Sequence, residues 1–160
     1  MSAELLKSLE TATVAYDDLA PGDRFVTAGR TLTEADIVNF AGLSGDYNQL
    51  HTDAEFASQA PHGKRIAHGL LVLSIMSGLS TRLPLNRLME KSILGLAGLQ
   101  ARWLRPVFIG DTVHVVVEVV SKEPGRKPGR GTVVFKRSAL NQKGETVLET
   151  EWRIVMASRA

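Results

Sequence analysis

The stretch from His68 to Pro84 constrains the fold more than any other part of the chain. Leu70, Leu71, Val72, Leu73, Ile75, Met76 and Leu79 put apolar side chains on almost every side of a helix that runs from about His68 until Pro84. A helix apolar all round belongs inside a core or a membrane. Ser74 and Ser77 interrupt the run, which is also shorter than the ~20 apolar residues that a membrane span needs. The helix must therefore be covered by the rest of its own chain. Gly69 and Gly78 allow other backbone to pack close to it.

The second half of the sequence supplies the cover. Ile93 to Leu104, Thr112 to Lys122, Gly131 to Leu140 and Thr146 to Ala157 all read as strands. The second is the clearest, with Val113, Val115, Val117 and Val119 alternating with Thr112, His114, Val116 and Glu118. Turns at Gly110-Asp111, at the Gly/Pro-rich stretch around Arg126, Lys127 and Arg130, and at Asn141 to Gly144 separate them. Long strands joined by short turns make an antiparallel sheet, and a curved sheet is the only large partner for the helix. The expectation is one α+β domain over residues 1–160, a curved antiparallel β-sheet wrapped around a central buried helix.

Composition fits a globular domain: 44% of the 160 residues are hydrophobic and 22% charged, enough for a core without staples. Cysteine is absent, which removes a disulfide framework, a thiolate zinc site and a cysteine nucleophile. Lys and Arg total 19 against 17 Asp and Glu, so the net charge of +2 is no nucleic-acid signature. Glu4, Lys7, Glu10, Asp17 and Asp18 break up any apolar signal segment near Met1. A cytoplasmic protein with no membrane and no nucleic-acid partner is expected.

In the first half, Asp23 to Leu32 reads as a short strand after the Pro21-Gly22 turn. Thr33 offers an N-cap with Asp36 at the capping-box position, and Ile37, Val38, Phe40, Ala41 and Leu43 form the apolar face of the helix that follows. Gly42 and Gly45 weaken and end it. A loop from Ser44 to Thr52 comes next, then a second short helix capped by Asp53.

That loop holds the chemistry. Gly45-Asp46-Tyr47-Asn48-Gln49-Leu50-His51 gathers a carboxylate, an amide and an imidazole within seven residues. His68-Gly69 stands seventeen residues beyond His51, where the central helix begins. The N–H groups of a helix start are unpaired and lie at its positive end, which suits charge developing on a carbonyl oxygen. Adding water across a double bond conjugated to a thioester needs a proton acceptor, a proton donor and such an oxyanion site. Asp46 and His51 sharing one water meet the first two needs, and the Gly69 amide meets the third.

These residues carry a resemblance. Gly45-Asp46-x-Asn48-x-x-His51, then Asp53 and Ala57, then Ile66-Ala67-His68-Gly69-x-Leu71, resemble the MaoC-like family of R-specific enoyl-CoA hydratases, which have the hot-dog fold. Arg105-Pro106-Val107-Phe108-Ile109-Gly110-Asp111 looks like that family's entry into the next long strand. The resemblance implies that Asp46 and His51 hold and activate the water, and that the Gly69 amide binds the thioester oxygen. It also implies that Asn48 and His68 shape the site, and that Ser77 falls where some members have a serine near the aspartate. The substrate implied is an acyl-CoA or acyl carrier protein thioester, so coenzyme A enters as part of the substrate and no separate cofactor is needed. A homodimer or dimer of dimers is implied too. Gln49, where most members have proline, and His62, where an apolar residue is common, depart from the pattern.

Other readings of the same residues are less specific. Asp46 alone could be a turn residue, His51 and His68 structural groups, and Ser77 a packing serine bonded one turn back. Asp46, His51, Asp53, His62 and His68 match no familiar zinc spacing, so no metal is expected. A hot-dog thioesterase typically has a carboxylate on the central helix, and none lies between Gly69 and Leu83. A non-catalytic subunit of a heteromeric dehydratase is the remaining alternative, which the intact Asp46 and His51 oppose. Lys64, Arg65, Arg102 and Arg105 are candidate contacts for the coenzyme A phosphates, none singled out, and Trp103 and Trp152 fit sheet positions.

Overall fold

The computed structural model describes residues 3–159. Helix α1 (Ala3–Thr11) and a single 3₁₀ turn (Tyr16–Asp18) precede two short strands, β1 (Arg24–Val26) and β2 (Arg30–Thr31). Helices α2 (Glu34–Ser44), α3 (Gln49–Thr52), α4 (Ala54–Gln59), α5 (Gly69–Thr81) and α6 (Pro84–Met89) follow. Four long strands complete the chain: β3 (Ile93–Trp103), β4 (Thr112–Pro124), β5 (Arg130–Leu140) and β6 (Thr146–Ala157).

All pairings are antiparallel, in the order β1-β4-β5-β6-β3, with β2 also on β4. The sheet wraps α5. Leu71, Val72, Ile75, Met76 and Leu79 of the helix pack with Val113, Val115, Val117 and Val119 of β4 and with Val133 and Phe135 of β5. Each of those β4 valines is buried, as the alternation of the sequence predicts.

Where the elements differ from expectation, local chemistry explains it. The strand read over Asp23 to Leu32 is two pieces on β4, because the Val115 N–H is taken by the Thr27 hydroxyl at 2.9 Å rather than by a backbone carbonyl. The capping box is present, with the Thr33 N–H donating to Asp36 at 2.8 Å, but Val38 and Leu43 point outward from α2 rather than to its buried face. Pro84 does not merely stop the central helix. It opens α6 as its first residue, where a missing N–H costs nothing. Helix α5 is not buried all round either: Leu70, Ser74 and Gly78, spaced by four, leave an exposed stripe because the sheet closes over only one side.

Candidate active site

The site forms where α2 ends, the chain turns and α5 begins. Gly45 ends α2 in the left-handed region (φ 74°), its N–H donating to Ala41 O at 2.9 Å. That turn delivers Asp46, whose Oδ1 accepts from the Asn48 N–H at 3.2 Å. The Asn48 side chain in turn accepts from the Leu50 N–H at 3.0 Å and so caps α3. Residues Ser44 to Thr52 are thus more ordered than the loop expected there, and His51 sits on a one-turn helix.

Two histidines meet this loop. His51 Nδ1 lies 2.8 Å from the carbonyl oxygen of Ile66. A carbonyl only accepts, so Nδ1 carries the hydrogen and Nε2 keeps a free lone pair. His68 Nε2 lies 3.0 Å from the backbone oxygen of Asp46, so here Nε2 donates. Its Nδ1 is then a lone pair, and it has no hydrogen-bond partner among the described residues. The two rings stack at 3.9 Å between centroids, with Phe40 at 5.0 Å on the other flank of His68.

One oxygen of Asp46 and one ring nitrogen each of His51 and His68 lie within 4.8 Å of one another. Asp46 is exposed, His51 half-buried and His68 buried. A carboxylate and an imidazole in such a set can hold a water, and an oxygen with two imidazoles is also a donor set that binds divalent cations. The sequence considered these three among five metal-type side chains; the fold brings these three together.

Gly69 is the first residue of α5, so its amide has no carbonyl one turn back to bond. Trp103, at the end of β3, packs flat against this glycine. Its Nε1–H donates to Gly69 O at 2.9 Å, and a Cβ on Gly69 would come within 2.7 Å of that nitrogen. Gly69, Val72, His62, Trp103 and Arg105 border a cleft of about 300 Å³. From sequence Trp103 reads only as a sheet residue, since no spacing rule connects a strand end to a glycine 34 residues earlier.

Ser77 is not drawn into this cluster. It lies eight residues beyond Gly69, roughly 12 Å by helix rise, and no hydrogen bond among the described residues joins it to Asp46, His51 or His68. Of the basic residues, Arg65 is held by both oxygens of Glu34 at 2.8 and 2.6 Å, which keeps that carboxyl below its usual range. Arg102 is paired with Glu149, and Lys64 covers the Phe108 ring at 4.2 Å. Arg105 stands at the cleft, donating to Thr146 O at 2.8 Å and lying 3.8 Å from the Glu145 carboxylate.

Residues 18–139 match the MaoC like domain, which is most of the chain. The chain belongs to the MaoC-like dehydratase family. Among MaoC-like relatives, the (R)-specific enoyl-CoA hydratase of Rhodospirillum rubrum is 31% identical over 145 residues, covering 90% of this chain and 92% of that protein. Protein MaoC of Klebsiella aerogenes is 34% identical over 143 residues, 89% of this chain but 38% of its own length. The solved structure described as a monoamine oxidase regulatory protein from Archaeoglobus fulgius superposes with a TM-score of 0.88 at 37% identity, covering 93% of this chain and 97% of that one. A Mycobacterium tuberculosis protein with a double hotdog fold, RV0216, superposes at 0.77 with 22% identity, covering 92% of this chain and 45% of that one. The MaoC-like chain therefore has the hot-dog fold, in a family with hydratases and dehydratases among its relatives.

Proposed function

We propose that this chain reversibly adds water to trans-2-enoyl thioesters, coenzyme A esters first among them, giving R-3-hydroxyacyl thioesters. The observation that carries the proposal is the His51 ring, fixed through Nδ1 to Ile66 O and grouped with the Asp46 carboxylate, near the start of a helix with an unpaired amide.

In this reading the two acceptors hold one water by its hydrogens and turn its oxygen toward C3 of the substrate. As the C3–O bond forms, the pair takes one proton and electron density moves through C2 to the thioester oxygen. The Gly69 N–H stabilises that oxygen as it gains charge. The pair then returns the proton to C2, so H and OH are added and nothing else is consumed. His68 acts one step back, holding the Asp46 backbone and the His51 ring in place, while Asn48 caps the turn between them. The oxygen and nitrogen donors are read as a water site with no resident metal or cofactor. Coenzyme A arrives with the substrate, and Arg105 at the cleft is the residue assigned to its phosphates.

We assign a homodimer as the working unit. Strand β3 ends the sheet, and Leu94, Leu96, Leu99 and Trp103 along it are exposed in a single chain, as are Tyr47 and Leu43 beside Asp46. An apolar edge strand and an open catalytic loop are both covered if a second copy packs there. No helix among the described residues is long and apolar enough to cross a membrane, and the proposed setting is the cytoplasm.

The test is a coupled assay in which the hydrated product of crotonyl-CoA is oxidised by an R-specific 3-hydroxyacyl-CoA dehydrogenase. Product accepted by that enzyme supports the proposal; product accepted only by an S-specific one contradicts it.

A further inference from the structure

Arg137 is the only Asp, Glu, Lys or Arg buried among the described residues, at 5% exposed. It follows Val133 and Phe135 on the face of β5 that packs toward the core. Its guanidinium lies over the Trp152 ring at 4.1 Å and near Phe135 at 6.0 Å. No carboxylate among the described residues pairs with it, and its Nε is buried without a hydrogen-bond partner. Burial pushes its pKa down to about 10, so it is still a cation at neutral pH. An aromatic face offsets part of the lost hydration but satisfies none of the N–H groups.

The guanidinium borders a void of about 10 Å³ with Ser80, Leu83, Asn86 and Val117, which holds little more than a water until a neighbour moves and carries no acidic side chain. Val72, Met76 and Ser80 follow one another at intervals of four along α5 and so share one side of it. Val72 borders the cleft beside Gly69, Ser80 borders the void at Arg137, and Met76 stands between the two. Met76 is an unbranched, adaptable side chain; its sulfur accepts from Thr150 at 3.3 Å, and Thr150 is the register partner of Arg137.

We propose that Arg137 receives a carboxylate carried at the far end of the substrate's acyl group, reached along the Val72-Met76-Ser80 side of α5 when Met76 moves aside. This rests on the enoyl-thioester reading of the Gly69 site. A planar carboxylate matches a guanidinium fork with two parallel hydrogen bonds. Gly69 to Ser80, beside Arg137, is eleven residues, roughly 16 Å of helix rise. The acyl group is therefore of intermediate length, and the shortest dicarboxylic thioesters fall short.

The experiment is calorimetric binding of saturated acyl-CoA pairs that differ only in ending as methyl or carboxylate, over increasing chain length. From one length upward the protein should bind the carboxylate member about tenfold or more tightly. Arg137→Met should lose that preference and keep its affinity for the methyl member, while Arg137→Lys keeps part of the preference. Equal affinities at every length overturn the proposal, and so does a preference that survives in Arg137→Met. Should Arg137→Met fail to fold, the length series on the unsubstituted protein decides alone. Saturated thioesters need no chemistry to bind. Inability to hydrate the 2-enoyl thioester of a preferred carboxylate-ended chain, with the binding preference intact, would thus sink the hydratase reading and not the assignment of Arg137.

Discussion

His51 Nδ1 donates to the carbonyl of Ile66 at 2.8 Å, across 15 residues of sequence, and this contact decides which nitrogen of the ring is basic. The Ile66 backbone is itself pinned, since its N–H donates to Leu50 O at 3.2 Å and the next N–H, of Ala67, to Val107 O at 2.7 Å. The imidazole is oriented by the fold before any substrate arrives.

In the proposed mechanism Asp46 and His51 hold the same water, so losing one should remove most of what the other contributes. Asp46→Asn and His51→Ala should each lower kcat by on the order of a thousandfold with Tm little changed. The double variant should be scarcely slower than either single one. Steady-state rates of the three proteins measure this directly; multiplying effects would mean that the two residues act on separate steps.

Gly69→Ala should disturb the oxyanion end of the site without touching an acid or a base. The added methyl meets the Trp103 indole, which cannot yield without losing its bond to Gly69 O. A displacement of about 1 Å at such a point costs on the order of a hundredfold in rate. The same variant should shift the tryptophan fluorescence. Full activity with an unchanged spectrum would show that the amide and the ring are uninvolved.

Much of this arrangement was legible in the sequence, and the reasons for the rest are physical. The long strands announced themselves through alternation and turn residues, and α5 through its apolar run. Asp53 caps α4 as read, accepting from the Phe56 N–H at 2.9 Å. Helices α1 and α6 gave no reading, because α1 is short, with Glu4, Lys7 and Glu10 among its nine residues, and α6 is short and begins at the proline taken for a stop. The link from His68 to Asp46 and the packing of Trp103 on Gly69 are contacts between distant segments, which periodicity does not encode. Arg137 sits in an alternating strand at a position that the pattern assigns to an apolar residue, and only burial reveals it.

The proposed dimer can be tested at the edge strand. Leu96→Lys, on the exposed edge strand, should leave each chain folded by circular dichroism and convert the protein to monomers in light scattering behind size exclusion. Activity should fall with it, because Asp46 is left open to solvent. A monomeric unsubstituted protein would contradict the assignment.

Chelation separates water from metal at the three-residue cluster. Dialysis against EDTA should leave the hydration rate unchanged, and added zinc or magnesium should not raise it. Loss of rate on chelation, restored by a divalent cation, would make Asp46, His51 and His68 ligands instead.

The most direct measurement is the ultraviolet absorbance of crotonyl-CoA mixed with the purified protein, followed beside Asp46→Asn, with free thiol assayed in the same samples. The account predicts loss of the enoyl-thioester absorbance, no thiol release, and near-complete loss of the reaction in Asp46→Asn. Released thiol would make the protein a thioesterase, and unchanged turnover in Asp46→Asn would remove Asp46 from the chemistry altogether.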